Sequence, residues 1–248
     1  IKMPHEKIRL AYDAAKAEGK VYDAPKTPPA RPGEAARYAG QFPGDTARAD
    51  TAATIAALDE AVGRILDKLQ KAGVADNTAV FFFADNGGHP ENRSENGALR
   101  DYKWSHYEGG IRVPFLAACP GVFPAGLIYD KPVSTLDIFP TVLALTGAIP
   151  PDGLDGVNLV PYLKGERAGD PHESLFFLTG DKGAVVQGRW KLLVFPHAAG
   201  QLYDLAKDLS ETNDLAAAEA PRVQAMTAQW RAWKSQMPPP ERSQNNIK

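Results

Sequence analysis

The chain has one cysteine, Cys119, in 248 residues, so it can hold no internal disulfide. It has no apolar run near the ~20 residues a membrane-spanning helix requires. The strongest such run, Ala79 to Ala84 (AVFFFA), reads instead as a buried strand. There is no block of basic residues, and the formal net charge is −2. This leaves no electrostatic footprint for nucleic acid or for an anionic membrane. Internal repeats are lacking. The opening Ile1-Lys2-Met3-Pro4-His5 carries neither an initiator methionine nor a signal-peptide pattern, and the start is expected to be an interior point of a longer protein. What is present is a hydrophobic content of 44%, enough for a real core in one large domain, or in one domain with a small appendage.

Residues 1–45 are rich in Pro, Gly and Ala and are expected to be irregular, with one short helix near 5–18. The clearest helix spans 49–72, where Ile55, Leu58, Val62, Ile65, Leu66 and Leu69 recur at spacings of three and four. Lys68 and Lys71 lie in its last turn, and Gly73 stops it. A strand at 78–84 ends in Asp85-Asn86-Gly87-Gly88. A polar loop then leads to a second strand at Val113–Ala118, and a helix follows over Leu136–Leu145 with Ser134 or Thr135 as cap and Gly147 as stop. This alternation predicts an α/β layer to about residue 148. Beyond it, segments at 174–179, 183–187, 190–195 and 201–203 predict a small antiparallel sheet. A closing helix over 215–235 places Val223, Met226, Trp230 and Trp233 on one face, and the tail from Pro238 is expected to be disordered.

Two segments carry chemistry. Asp85-Asn86-Gly87-Gly88 puts a charged and a neutral oxygen ligand at the carboxyl end of a strand, where ligands bind in open α/β sheets. Such oxygens suit a hard cation such as calcium. Taken alone, the tetrapeptide is more readily an ordinary strand-to-turn transition. The second segment, Lys103 to Pro114 (KWSHYEGGIRVP), gathers a lysine for an oxyanion, His106 for proton exchange or hydrogen bonding, and Arg112 four residues after Glu108. Alone it reads as a polar loop.

Together the segments resemble the sulfatase family. The resemblance rests on Ile55–Leu66 (IAALDEAVGRIL), Asp76-Asn77-Thr78, Phe82–Gly88, Leu99-Arg100, and Lys103 followed by Tyr107–Pro114. It continues through Leu136–Gly147 (LDIFPTVLALTG), Arg189–Leu193, Gln201–Leu205 and Asp208 to Leu215. It implies an alkaline-phosphatase-like α/β fold, a mixed sheet flanked by helices, with a small C-terminal antiparallel sheet plus helix. The domains are then expected at 1–148 (the C-terminal half of the catalytic domain), 149–237 (a small α+β subdomain) and 238–248 (a tail). The implied reaction is hydrolysis of an aryl or carbohydrate sulfate ester by a formylglycine nucleophile with one calcium ion. By the same resemblance Asp85 and Asn86 match metal ligands and Lys103 matches the sulfate-binding lysine. His106 lies near enough to reach substrate, while Tyr107, Glu108, Gly109, Gly110 and Arg112 shape the loop. Many such enzymes are periplasmic, secreted or lysosomal.

The match is incomplete. Cys119-Pro120-Gly121-Val122-Phe123 departs from the family's Cys-x-Pro-x-Arg, with Pro one place early and Phe123 where Arg belongs. It also follows the metal motif instead of preceding it, so Cys119 reads as a small buried apolar residue at a strand end. Thr27-Pro28-Pro29-Ala30-Arg31 fits the spacing with threonine first, but in a Pro-rich connector. The family's N-terminal aspartates are missing, and His5 aligns with nothing securely. The nucleophile is therefore expected on a segment preceding Ile1, without which the chain is inactive. Two other readings stay open: a phosphate mono- or diester hydrolase of the same fold, which would favour zinc where Asn86 favours one hard cation, and a non-catalytic module binding sulfated glycans. His89, Arg93 and Trp104 are candidates to line a leaving-group pocket.

Overall fold

The structure, a computed structural model, describes residues 34–238. The expected helix near 5–18, His5, the Thr27–Arg31 motif and the tail beyond Pro238 lie outside the described residues. The chain divides into two compact units, one ending at Ile65 and the other beginning at Leu66.

In the first unit, helix α1 (Glu34–Ala39) is followed by the start of helix α2 (Thr46–Lys71). The Asp45 carboxylate caps α2 by accepting a hydrogen bond from Arg48 N at 3.0 Å, so the helix begins three residues before the expected 49. Small residues carry the burial here: Ala49 and Ala53 are buried. The predicted apolar face is largely uncovered by the described residues, with Ile55 60%, Leu58 51% and Ile65 61% exposed. Gly73, in the left-handed region, follows the end of α2.

In the second unit, strand β1 (Val80–Phe83) pairs antiparallel with strand β2 (Phe115–Ala118), Phe83 opposite Phe115. The two rings stack with centroids 5.9 Å apart. The sequence predicts a buried strand at 78–84; instead Phe82 and Phe83 are about two-fifths exposed, at 41% and 39%. The physical reason is that β1 has a single neighbour among the described residues, which leave one long side and part of both faces open. Of the expected mixed sheet, the described residues contain this antiparallel pair. Between the two strands lies the one-turn helix α3 (Glu108–Ile111).

Helix α4 (Ile138–Thr146) is entered through a 3-10 turn at Thr135–Asp137. Ser134 and Asp137 form a reciprocal capping box, and Gly147 closes the helix in the left-handed region. Asp137 is completely buried. It accepts from Ser134 N at 2.7 Å, Val157 N at 2.8 Å and His172 Nε2 at 2.8 Å, and so ties α4 to the chain leading through helix α5 (Val160–Leu163).

Strands β3 (Leu175–Thr179), β4 (Lys182–Gln187), β5 (Trp190–Val194) and β6 (Gln201–Asp204) form an antiparallel meander in sequence order. One face packs Val185, Leu192, Val194 and Leu202 against Met226 and Trp230 of helix α6 (Ala220–Lys234), with Val223 and Trp233 beside them. The other face presents Ala184, Leu193 and Tyr203 to Tyr107. Both faces are covered, so the central strands β4 and β5 are buried along most of their length. No helix among the described residues is long and apolar enough to cross a membrane.

Candidate functional site

The loop after β1 is held by backbone contacts alone at its tightest point. Gly87 N donates to Gly110 O at 3.0 Å, Gly109 N to Arg100 O at 2.7 Å, and Lys103 N to Gly88 O at 3.0 Å. None of these glycines has a positive φ; they are needed for proximity. A Cβ on Gly87 would sit 1.7 Å from Gly109 O, and one on Gly109 would sit 2.2 Å from Asp101 O. The glycines at the end of β1 therefore serve the close approach of backbone to backbone. The Asn96 side chain completes the clamp, accepting from Gly88 N and donating to Asp101 O, each at 2.8 Å.

This clamp brings Asp85-Asn86 and Lys103 into one loop cluster. Asp85 is exposed; Asn86 and Lys103 are half-buried. Asn86 Nδ2 donates to Gly87 O at 2.9 Å, so its amide nitrogen is committed to the loop and its Oδ1 is the atom left to serve as a ligand. Asp85 and Asn86 thus fit a hard cation in kind but provide only two of the six to eight oxygens calcium takes. Among the described residues no group of three or more His, Cys, Asp and Glu is gathered around a common point.

His106, half-buried, meets the Thr179 hydroxyl at the end of β3, Nε2 to Oγ1 3.2 Å. Burial, and then the charges of Lys191 and Lys182, hold its imidazole below the ordinary histidine value, so it is neutral at pH 7. Of the other candidates, His89 and Trp104 stand edge to face with centroids 4.6 Å apart. Arg93 is exposed in the left-handed region. Arg93, Asp101 and Trp104 are three of the four non-glycine residues with positive φ among the described residues. Such backbone is held only where its surroundings enforce it. Cys119 lies just past β2, at the strand end as expected, but is half-buried instead of buried, because β2 pairs with β1 alone among the described residues.

A buried charge cluster supports the loop from below. Lys191 of β5 is fully buried; its Nζ donates to Glu108 Oε1 at 2.9 Å and stands 2.9 Å from Glu211 Oε1. The second contact is an ion pair, and among the described residues Glu211 Oε1 has no hydrogen-bond donor. Glu211 Oε2 accepts from Glu108 N at 2.6 Å. Glu211 is the fourth residue with positive φ. Burial raises its carboxyl above the usual range, against the opposing pull of Lys191. Arg112 reaches the other Glu108 oxygen at 3.4 Å, as the four-residue spacing predicts. Arg100 lies over the Tyr107 ring and donates to Glu211 O at 2.6 Å. Burial, with Tyr107 beside it, pushes the Tyr203 hydroxyl up to about 12. Sequence reasoning missed Lys191 and Glu211. The signal available was a lysine inside the apolar strand WKLLV, too costly to bury unless paired.

The Sulfatase family model matches residues 8–148, more than half of the chain. This chain belongs to the sulfatase family. A second model, N-sulphoglucosamine sulphohydrolase, C-terminal, matches residues 98–236. Among curated relatives, human arylsulfatase D is 31% identical over 214 residues, covering 69% of this chain and 36% of its own length. Human N-acetylgalactosamine-6-sulfatase is 39% identical over 146 residues, covering 56% of this chain and 28% of its own length. The chain thus spans about a third of these relatives. Among solved structures, Ps i-CgsB in complex with k-i-k-neocarrahexaose superposes with a TM-score of 0.77 at 29% identity, covering 91% of this chain and 53% of that one. The fold is therefore the α/β, alkaline-phosphatase-like fold of the sulfatases, with the C-terminal sheet and helix expected from the sequence.

Proposed function

We propose that this chain is the carboxy-terminal part of a sulfuric ester hydrolase acting on a carbohydrate or aryl sulfate, completed by a preceding segment that carries formylglycine. In this reading 1–148 is the second half of the catalytic domain and 149–237 a supporting subdomain. Asp85 and Asn86 hold part of the shell of one calcium ion, which supplies positive charge against the sulfate oxygens. Lys103 binds those oxygens as a point charge and stabilises the charge that grows on them as the ester bond breaks. His106, neutral, faces the leaving group.

The observation that carries the reading is the 3.0 Å bond from Lys103 N to Gly88 O. It fixes a cation-bearing loop against a carboxylate-bearing one, the pairing that an oxyanion with a metal counter-ion requires. Names of relatives support a sulfated sugar as well as an aryl sulfate, since one is an arylsulfatase, one an N-acetylgalactosamine-6-sulfatase, and one solved structure is in complex with a neocarrahexaose.

The test is turnover of 4-nitrophenyl sulfate by the full-length protein, with metal content read alongside. Sulfate release with calcium present supports the proposal. Release of phosphate from 4-nitrophenyl phosphate with bound zinc would instead make it a phosphoesterase. Binding of sulfated glycan without turnover of either ester would make it a glycan-binding module.

A further inference from the structure

His106 and Thr179 come from different parts of the fold, 73 residues apart, and meet at 3.2 Å. His106 lies three residues beyond Lys103 in the clamped loop; Ser105, just before it, lies under Gly110, where an added Cβ would come within 2.1 Å of Ser105 O. Gly110 in turn accepts the bond from Gly87 N. Thr179 ends β3 at the tip of the β3–β4 hairpin and is exposed, as are Gly180, Asp181 and Lys182. The pair therefore joins the Lys103 loop to a projecting hairpin that the proposed chemistry does not otherwise use.

We propose that His106 and Thr179 together form a recognition element for the sugar ring that carries the sulfate, reading a hydroxyl group next to the ester. This rests on the sulfate-ester reading above. A neutral imidazole and an aliphatic hydroxyl each offer both a donor and an acceptor. The pair can open to take a C–O–H group between them, and can exchange donor for acceptor as the ring nitrogen tautomer changes. A flat aryl ring offers neither function. A site built to hydrogen-bond a hydroxyl discriminates strongly against a substrate lacking it, because its own polar groups are left unmatched. Lys182, on the same hairpin, adds a positive charge felt at His106, which suits a ring bearing a further anionic substituent.

The experiment compares two substrates in the full-length protein, 4-nitrophenyl sulfate and a sulfated neocarrabiose. Thr179→Val, of nearly the same shape, is expected to raise KM for the disaccharide about tenfold with kcat little changed, and to leave aryl sulfate kinetics unaltered. Thr179→Ser is expected to restore the wild-type KM. Equal effects on both substrates, or none on either, would overturn the proposal, because a mere latch between hairpin and loop does not distinguish leaving groups. A second readout needs no turnover: the His106 imidazole resonances of the full-length protein, followed as sulfated neocarrabiose is added. A shift that Thr179→Val abolishes supports the pair as the recognition element; no shift, or one that survives the substitution, rejects it. Sugar binding at His106 in a wild type that hydrolyses no sulfate ester would retire the hydrolase reading and leave the recognition pair standing.

Discussion

Lys191 is fully buried between two carboxylates, Glu108 and Glu211, and that fact governs what single substitutions do. Lys191→Met removes the cation and leaves two buried anions facing each other. It is expected to cost about 3–5 kcal/mol, measured by urea denaturation. Glu211→Gln keeps an acceptor for Glu108 N and removes only one charge, so its effect is much smaller. The pH dependence distinguishes them further. The Glu211 carboxyl is raised in the folded state by burial, so its contribution to stability is full below its unfolded value of about 4.3. That contribution falls away as pH rises through the raised value. Glu211→Gln is expected to flatten that part of the stability profile. At the proposed site, Asp85→Ala should weaken calcium binding, measured by calorimetry. Lys103→Ala should lower kcat by about a hundredfold or more with calcium binding and melting temperature intact. Unchanged calcium affinity in the first, or unchanged kinetics in the second, would remove that residue from the site.

At the scale of elements, the decisive unit is the clamp of Gly87, Gly109 and Gly110 between β1 and α3. Its atoms are backbone and cannot swing aside, so Gly109→Ala is expected to cost about 3 kcal/mol and to weaken calcium binding at Asp85 together with stability. A substitution that lowered stability without touching metal affinity would show that clamp and cation site are separate. Most elements were legible because their signals are local. Apolar spacing gave α2 and α6, the Ser134 and Gly147 signals gave α4, and β-rich runs between turn residues gave the meander. The supports of the site were not legible. Glu108 meets Lys191 across 83 residues and Glu211 across 103, and no window along a sequence relates residues at such distances. The Asp137 hub escaped for the same reason, since its partner His172 lies 35 residues away. The exposure of Phe82 and Phe83 could not be foreseen either, because an apolar run specifies that a strand wants covering, not how much of the cover is at hand.

At the scale of the molecule, apolar surface is left open in each unit. Ile55, Leu58 and Ile65 in the first, and Phe82, Phe83 and Leu116 in the second, are each more than a third exposed. Several exposed large apolar side chains on one element mark a face that something is expected to cover. We expect the 248-residue chain studied alone to enhance the fluorescence of an apolar dye such as ANS, and to sediment as a concentration-dependent mixture. In the full-length protein both effects should be much reduced. Dye binding of equal strength in the two would show that these faces are not covered by the segment proposed to precede this chain.

Trp104 has a use beyond its place in the loop. It is 76% exposed, whereas Trp230 is 3% exposed and Trp190 and Trp233 are half-buried. The Lys103 ammonium lies 5.9 Å from its ring and His89 stands edge-on to it. A solvated indole emits to the red of buried ones and is the most open to an aqueous quencher such as iodide, so the emission of Trp104 can be separated from that of the other three. Anything that moves Lys103, whether sulfate, sugar or metal, changes the electric field at this chromophore. If Lys103 holds the ligand as proposed, occupancy is expected to be readable as a change in Trp104 emission, without label or turnover.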